Sequence, residues 1–142
     1  MKKKKSKMMI TSSKKLQKII EFYYMTPTET DAKALSLCIH TVDEEKIEVW
    51  RELNLMEVIL DSDSLIFQDA SECFVDPLDL EFIRGHKIKT IYQISYEAAD
   101  SDTVKKIMSE ILTHKGGFIC SDTDSFEPIY TKENMDRLGE EE

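Results

Sequence analysis

The order strand, capped helix, strand, acidic-serine turn occurs twice, over about residues 34–64 and 88–125, and it predicts an α+β domain. The chain has 142 residues, 41% of them apolar and 33% charged, the composition of one polar globular domain. A chain of this length buries roughly two-thirds of the surface it exposes when unfolded, so a core forms without staples. Gly and Pro total seven, four and three, which excludes collagen-like, linker-like and low-complexity readings. The repeated βαβ order points to a ferredoxin-like (split βαβ) two-layer sandwich, one sheet with helices on one face. An extra N-terminal helix and a mid-chain insertion over 65–86 depart from its minimal version. A mixed sheet with another strand order is the alternative topology.

Residues 1–10 read as a basic flexible tail, residues 11–139 as a single globular domain, and residues 140–142 as a frayed acidic end. Ser12 or Ser13 is placed to cap a first helix, in which Leu16, Ile19, Ile20 and Tyr23 form one stripe. That helix runs to about Met25, and Thr26-Pro27 stops it. Ala34 to Thr41 alternates as a strand, with Leu35, Leu37 and Ile39 on one face and Cys38 and His40 on the other. Thr41 and Glu44 make a capping box for a helix through Ile47, Trp50 and Leu53.

Leu55 to Leu60 fits a strand better than a helix extension, although so short an apolar run satisfies both. Asp61-Ser62-Asp63-Ser64 is turn chemistry, and Leu65-Ile66-Phe67 a second strand. Asp76-Pro77 starts a short helix that Gly85 ends. Lys87 to Tyr96 alternates well and is the best strand in the chain. Asp100 or Ser101 caps a helix whose Val104, Ile107, Met108, Ile111 and Leu112 give the strongest amphipathic signal; Gly116-Gly117 ends it. Phe118 to Cys120 is a short strand, Asp122 to Ser125 a turn, and Thr131 to Gly139 a last short helix.

The charge is unevenly spread. Residues 1–18 hold eight lysines and no acid, whereas residues 19–142 hold 11 bases against 28 acids, a balance of −17. So acidic a body repels phosphate at long range, which argues against nucleic-acid binding by the globular part. Met8-Met9-Ile10 is too short for the apolar core of a signal peptide, and no stretch approaches a membrane span. Three widely spaced cysteines, Cys38, Cys73 and Cys120, fit reduced thiols and a cytoplasmic protein.

No motif carries specific chemistry. Asp61-x-Asp63 after an apolar run resembles the nucleophile motif of haloacid-dehalogenase-type phosphatases over four residues. The doubly wound sheet, lysine and second acidic pair of that family have no place here, and Asp122-x-Asp124 repeats the pattern as plain turn chemistry. Neither turn has the ligand spacing of an EF-hand. Cys38-x-His40 offers half a zinc site, with His86, His114, Cys73 or Cys120 as distant partners. Gly116-Gly117 follows a helix, the wrong end for a phosphate cradle. Most of the aromatic residues read as core, with Tyr24 and Tyr130 expected to expose their rings.

The expectation is therefore a non-enzymatic, cofactor-free module that binds a basic protein partner through fast, steered association. In size and charge the chain resembles the bacterial immunity proteins, which neutralise basic toxins. Asp61, Asp63, Asp122 and Asp124, freed from any helix-capping role, are the expected partner-binding residues. The competing class is a small-ligand-binding or regulatory domain, a homodimer through a sheet edge or helix face.

Overall fold

The computed structural model describes residues 18–138. Among the described residues seven strands, β1 (Ile19–Thr26), β2 (Ile47–Trp50), β3 (Leu55–Ile59), β4 (Ser64–Asp69), β5 (Thr90–Glu97), β6 (Phe118–Cys120) and β7 (Ile129–Tyr130), accompany three α-helices. These are α1 (Ala32–Ser36), α2 (Pro77–Gly85) and α3 (Ser101–Lys115). The architecture is α+β. The strands form one sheet in the order β2-β3-β4-β5-β1-β6-β7, and every neighbouring pair is antiparallel. β5 and β6 flank β1 on its two sides and run parallel to each other, with α3 as the crossover between them.

The first strand stands where a helix is predicted. The stripe at Leu16, Ile19, Ile20 and Tyr23 fits a helical period, but Ile19 to Tyr24 is dominated by β-branched and aromatic residues, which suit a pleated surface. β1 lies between two neighbours, and Ile20, Phe22, Tyr24 and Thr26 all point into the main core. The predicted strand over 34–41 is α1 and the turn after it. Asp31 caps it by accepting from the Ala34 N–H at 2.9 Å, and Ala32, Leu35, Cys38 and Ile39 are buried at helical spacing. Leu37, which a strand would bury beside Leu35, is 66% exposed. The predicted helix over 44–53 is two 3-10 turns, Glu44–Lys46 and Arg51–Leu53, around β2.

The segment read as an insertion supplies β4 to the sheet as well as α2. The last predicted helix is a 3-10 turn, Met135–Arg137. Tyr24 and Tyr130 are buried, not exposed: the Tyr24 hydroxyl donates to the Gly116 carbonyl at 2.9 Å, and the Tyr130 ring meets Phe22 edge-on at 5.9 Å. The predicted tail 1–10, the Ser12 or Ser13 cap, Leu16, Gly139 and the end 140–142 lie outside the described residues.

The main core fills one face of the sheet. Val104, Ile107, Met108, Ile111 and Leu112 of α3 pack there with α1 and with alternate residues of β1, β3, β4 and β5. The two-layer expectation is incomplete, because a second, smaller core lies on the opposite face. Met25, Ile91, Cys120 and Phe126 form it under α2, with Tyr23, Phe74, Phe82 and Phe118 around them. The aromatic rings join in a chain, Tyr23 to Phe74 at 5.0 Å, Phe74 to Phe126 at 5.8 Å and Phe126 to Phe82 at 4.5 Å. Among the described residues this second core covers only part of its face.

Candidate interaction surface

The uncovered part of that face follows from strand periodicity. In β3, Met56 and Val58 face the main core, so Leu55, Glu57 and Ile59 face away. The same alternation turns out Glu48 and Trp50 of β2, Ser64, Ile66 and Gln68 of β4, Gln93 and Ser95 of β5, and Ile19 and Glu21 of β1. Cross-strand register aligns these in rows. One runs Trp50, Leu55, Gln68, Gln93, Tyr23; the next runs Glu48, Glu57, Ile66, Ser95, Glu21. Ile19 is 47% exposed, Ile59 44% and Trp50 37%. At the usual strand spacing the five strands span about 19 Å.

This surface mixes apolar side chains with the glutamates Glu21, Glu48 and Glu57, a fourth, Glu97, being buried where it accepts from the Lys18 and Ala99 N–H groups; none of its described strand positions holds lysine or arginine. Glu48 and Glu57 are direct cross-strand partners. Like charges in that position destabilise a sheet. Ser64 relieves only part of this, its hydroxyl donating to Glu57 Oε2 at 2.5 Å.

The acidic character continues beside the second core. Asp76 caps α2 by accepting from the Leu78 N–H at 2.8 Å, and the β6–β7 loop brings Asp122 and Asp124 against that helix start. Asp76, Asp79, Asp122 and Asp124 line an open groove of about 230 Å³ together with Phe126. Partial burial, and then the charges of Asp76, Asp122 and Asp124, raise the Asp79 carboxyl above its ordinary value. Tyr23 links this groove to the bare sheet. Burial, then Asp122, Cys73, Glu21 and Cys120, push its phenol up to about 12, so Asp122 from the loop and Glu21 from the sheet act on the same ring.

The four aspartates expected to bind a partner therefore separate into two places. Asp122 and Asp124 belong to the acidic groove. Asp61 and Asp63 lie in the β3–β4 hairpin, where the Asp100 carboxylate accepts from the Ser62 and Asp63 N–H groups at 3.1 and 3.2 Å. Asp61 lines a different groove, of about 420 Å³, which it shares with Asp43, Lys46, Thr103 and Lys106. Two cations there temper its field. The sheet order puts β5 and β1 between the two turns' strands.

Cys38 and His40 do not converge. The Cys38 thiol is buried and contacts the Ala34 carbonyl at 3.6 Å, and burial raises its pKa; His40 is exposed, its N–H donating to Glu110 at 3.1 Å. Among the described residues no group of three His, Cys, Asp or Glu is arranged to hold a metal ion. No described helix is long and apolar enough to cross a membrane. No protein family, curated protein or solved structure matches the chain.

Sequence reasoning passed over Glu21, Glu48, Glu57 and Trp50. The signal was present in β2 and β3, where Ile47-Glu48-Val49-Trp50 and Leu55 to Ile59 both alternate. Assigning residues 19–25 and 44–53 to helices scattered the same residues over several faces.

Proposed function

We propose that this chain is a small acidic protein-binding module that captures a basic partner protein on the bare half of its sheet. The observation that carries this reading is the Glu48–Glu57 pair, two carboxylates facing each other across neighbouring strands on a surface whose described strand positions hold no base. A lysine or arginine from a partner relieves that repulsion, while Trp50, Leu55, Ile59 and Ile66 supply apolar contact. Asp122 and Asp124 extend the negative field at one side, and Asp61 and Asp63 add to it at the hairpin end. A neutraliser of a basic protein, of the kind the immunity proteins are, is the form of this reading that size and charge support. The reading takes the protein as a non-enzymatic one in the cytoplasm, in keeping with the free cysteines Cys38, Cys73 and Cys120. It takes the central strands β4-β5-β1-β6, with their helical crossovers, as a ferredoxin-like core extended by the β2–β3 hairpin and by β7.

Association kinetics with polylysine as the probe test the site. The triple variant Glu21→Gln, Glu48→Gln, Glu57→Gln should slow association and flatten its salt dependence. A control that removes three charges elsewhere, Glu44→Gln, Glu45→Gln, Asp102→Asn, should do so much less. Equal effects of the two variants would reduce the binding to net charge and remove the sheet face from it.

A further inference from the structure

We infer that the bare sheet face is occupied, within the same molecule, by the chain's own lysine-rich residues 1–17, and that a basic partner must displace them. This rests on the reading of that face as a site for lysine-rich chain, and three observations carry it further.

The first is where the described chain begins. The Lys18 N–H donates to Glu97 Oε2 at 3.0 Å, which fixes the start of β1 at the edge of the bare face. Ile19, the next residue, is itself part of that face. Residues 1–17 are thus tethered to the surface they would cover. The second is reach. Seventeen residues span up to roughly 56 Å when extended. The far edge of the face, at Trp50 and Glu48, is about 19 Å away across the strands. The third is complementarity. Residues 1–17 hold seven lysines and no acid, with Met8, Met9, Ile10 and Leu16 between them. The face holds Glu21, Glu48 and Glu57 with no base at its described strand positions, and Trp50, Leu55, Ile59 and Ile66 beside them. A tethered segment also competes at an effective concentration that reaches the millimolar range for short linkers. A free partner must overcome that, so the arm sets a threshold for capture.

Trp50 is the only tryptophan and stands on this face, so its fluorescence reports occupancy in the full-length protein. The probe is a synthetic peptide with the sequence of residues 1–17, added to the native chain and to a full-length variant in which every lysine of residues 1–17 is changed Lys→Gln. The expected result has two parts. The Trp50 emission of the native chain should move, on raising salt, toward that of the Lys→Gln variant. The peptide should bind the variant at least about tenfold more tightly than the native chain, because the tethered competitor is gone. Equal affinity for both would overturn the arm's occupancy and leave the face as an open site. Binding to neither would overturn both the occupancy and the function proposed above. Binding to the Lys→Gln variant that survives Glu21→Gln, Glu48→Gln and Glu57→Gln would place the peptide elsewhere and likewise remove both. A Trp50 signal in the native chain that depends on protein concentration would put the arm of one copy on another, and so overturn the intramolecular arrangement.

Discussion

Asn54 ties three elements together through one side chain. It sits between the 3-10 turn and β3 with φ 49°, a left-handed conformation that Asn tolerates better than most residues. Its Oδ1 accepts from the Ala32 N–H of α1 at 2.9 Å and from the Tyr92 hydroxyl of β5 at 2.5 Å; its Nδ2 donates to Asp69 of β4 at 3.1 Å. Asn54→Ala leaves those groups without their partner and keeps the left-handed strain. We expect a loss of about 2–4 kcal/mol in chemical denaturation. A loss under about half a kcal/mol would mean that water replaces all three bonds.

Buried thiols and phenols govern the alkaline side. Burial, and secondarily Asp122, push the Cys120 thiol up to about 12; the Tyr23 phenol reaches a similar value, and burial raises Tyr24 and Tyr92 as well. Each folded value lies above the ordinary one, so each group's contribution is complete below its ordinary pKa and is lost as pH rises toward the folded value. Stability should therefore fall between about pH 9 and 12, with tyrosinate absorbance appearing at the unfolding transition. At neutral pH a thiol reagent should modify exposed Cys73 and leave buried Cys38 and Cys120 until the protein unfolds. Three thiols reacting at one rate would contradict this burial pattern.

At the scale of elements, α3 contributes five buried residues to the main core. Ile111 is fully buried in the main core, and Ile111→Ala should cost about 2–5 kcal/mol by denaturant titration. A loss under about half a kcal/mol would place the helix on the surface. This helix was legible in the sequence because fifteen residues gave the helical period room to declare itself, with Gly116 at the stop. β1 and α1 were misread for the opposite reason. Leu16, Ile19, Ile20 and Tyr23 satisfy a helical spacing over two turns, and Ala34 to Ile39 alternates over six residues, so each short run fits both periods. What decided them was context: two neighbouring strands for β1, and the Asp31 cap with the Asn54 bond for α1. Because β1 was not read as a strand, the Glu48, Glu57, Ile66, Ser95, Glu21 row could not be assembled. That row also separates stability from binding. In the variant whose arm lysines are changed Lys→Gln, Glu48→Gln removes an unrelieved like-charge pair, so there it should slightly raise the melting temperature while weakening polylysine capture. A drop in both would show that Glu48 supports the sheet instead.

For the whole molecule, charge is the dominant property. The described residues carry 12 bases against 25 acids, a net −13, and four of the acids, Asp76, Asp79, Asp122 and Asp124, converge where the second core meets the β6–β7 loop. Asp79 feels this most directly. Its folded pKa lies above the ordinary value, so its charged form is disfavoured by folding and weakens the fold at neutral pH. The effect vanishes as pH falls into the carboxylate range. Asp69 has the opposite sign. Burial raises it, but the Ser71 hydroxyl, the Ser71 N–H and the Asn54 amide outweigh that and hold it low, so its contribution is present at neutral pH and lost in acid. The two carboxylates are distinguished by salt at neutral pH. Repulsion among Asp76, Asp79, Asp122 and Asp124 acts through partly solvated space and is screened once the Debye length drops to about 10 Å near 0.1 M. The short hydrogen bonds to Asp69 are screened much less. The melting temperature should therefore rise with added salt, and Asp79→Asn should begin from a higher value and rise less steeply. A melting temperature that falls with salt, or an Asp79→Asn variant that follows the native curve, would show that the groove does not limit stability.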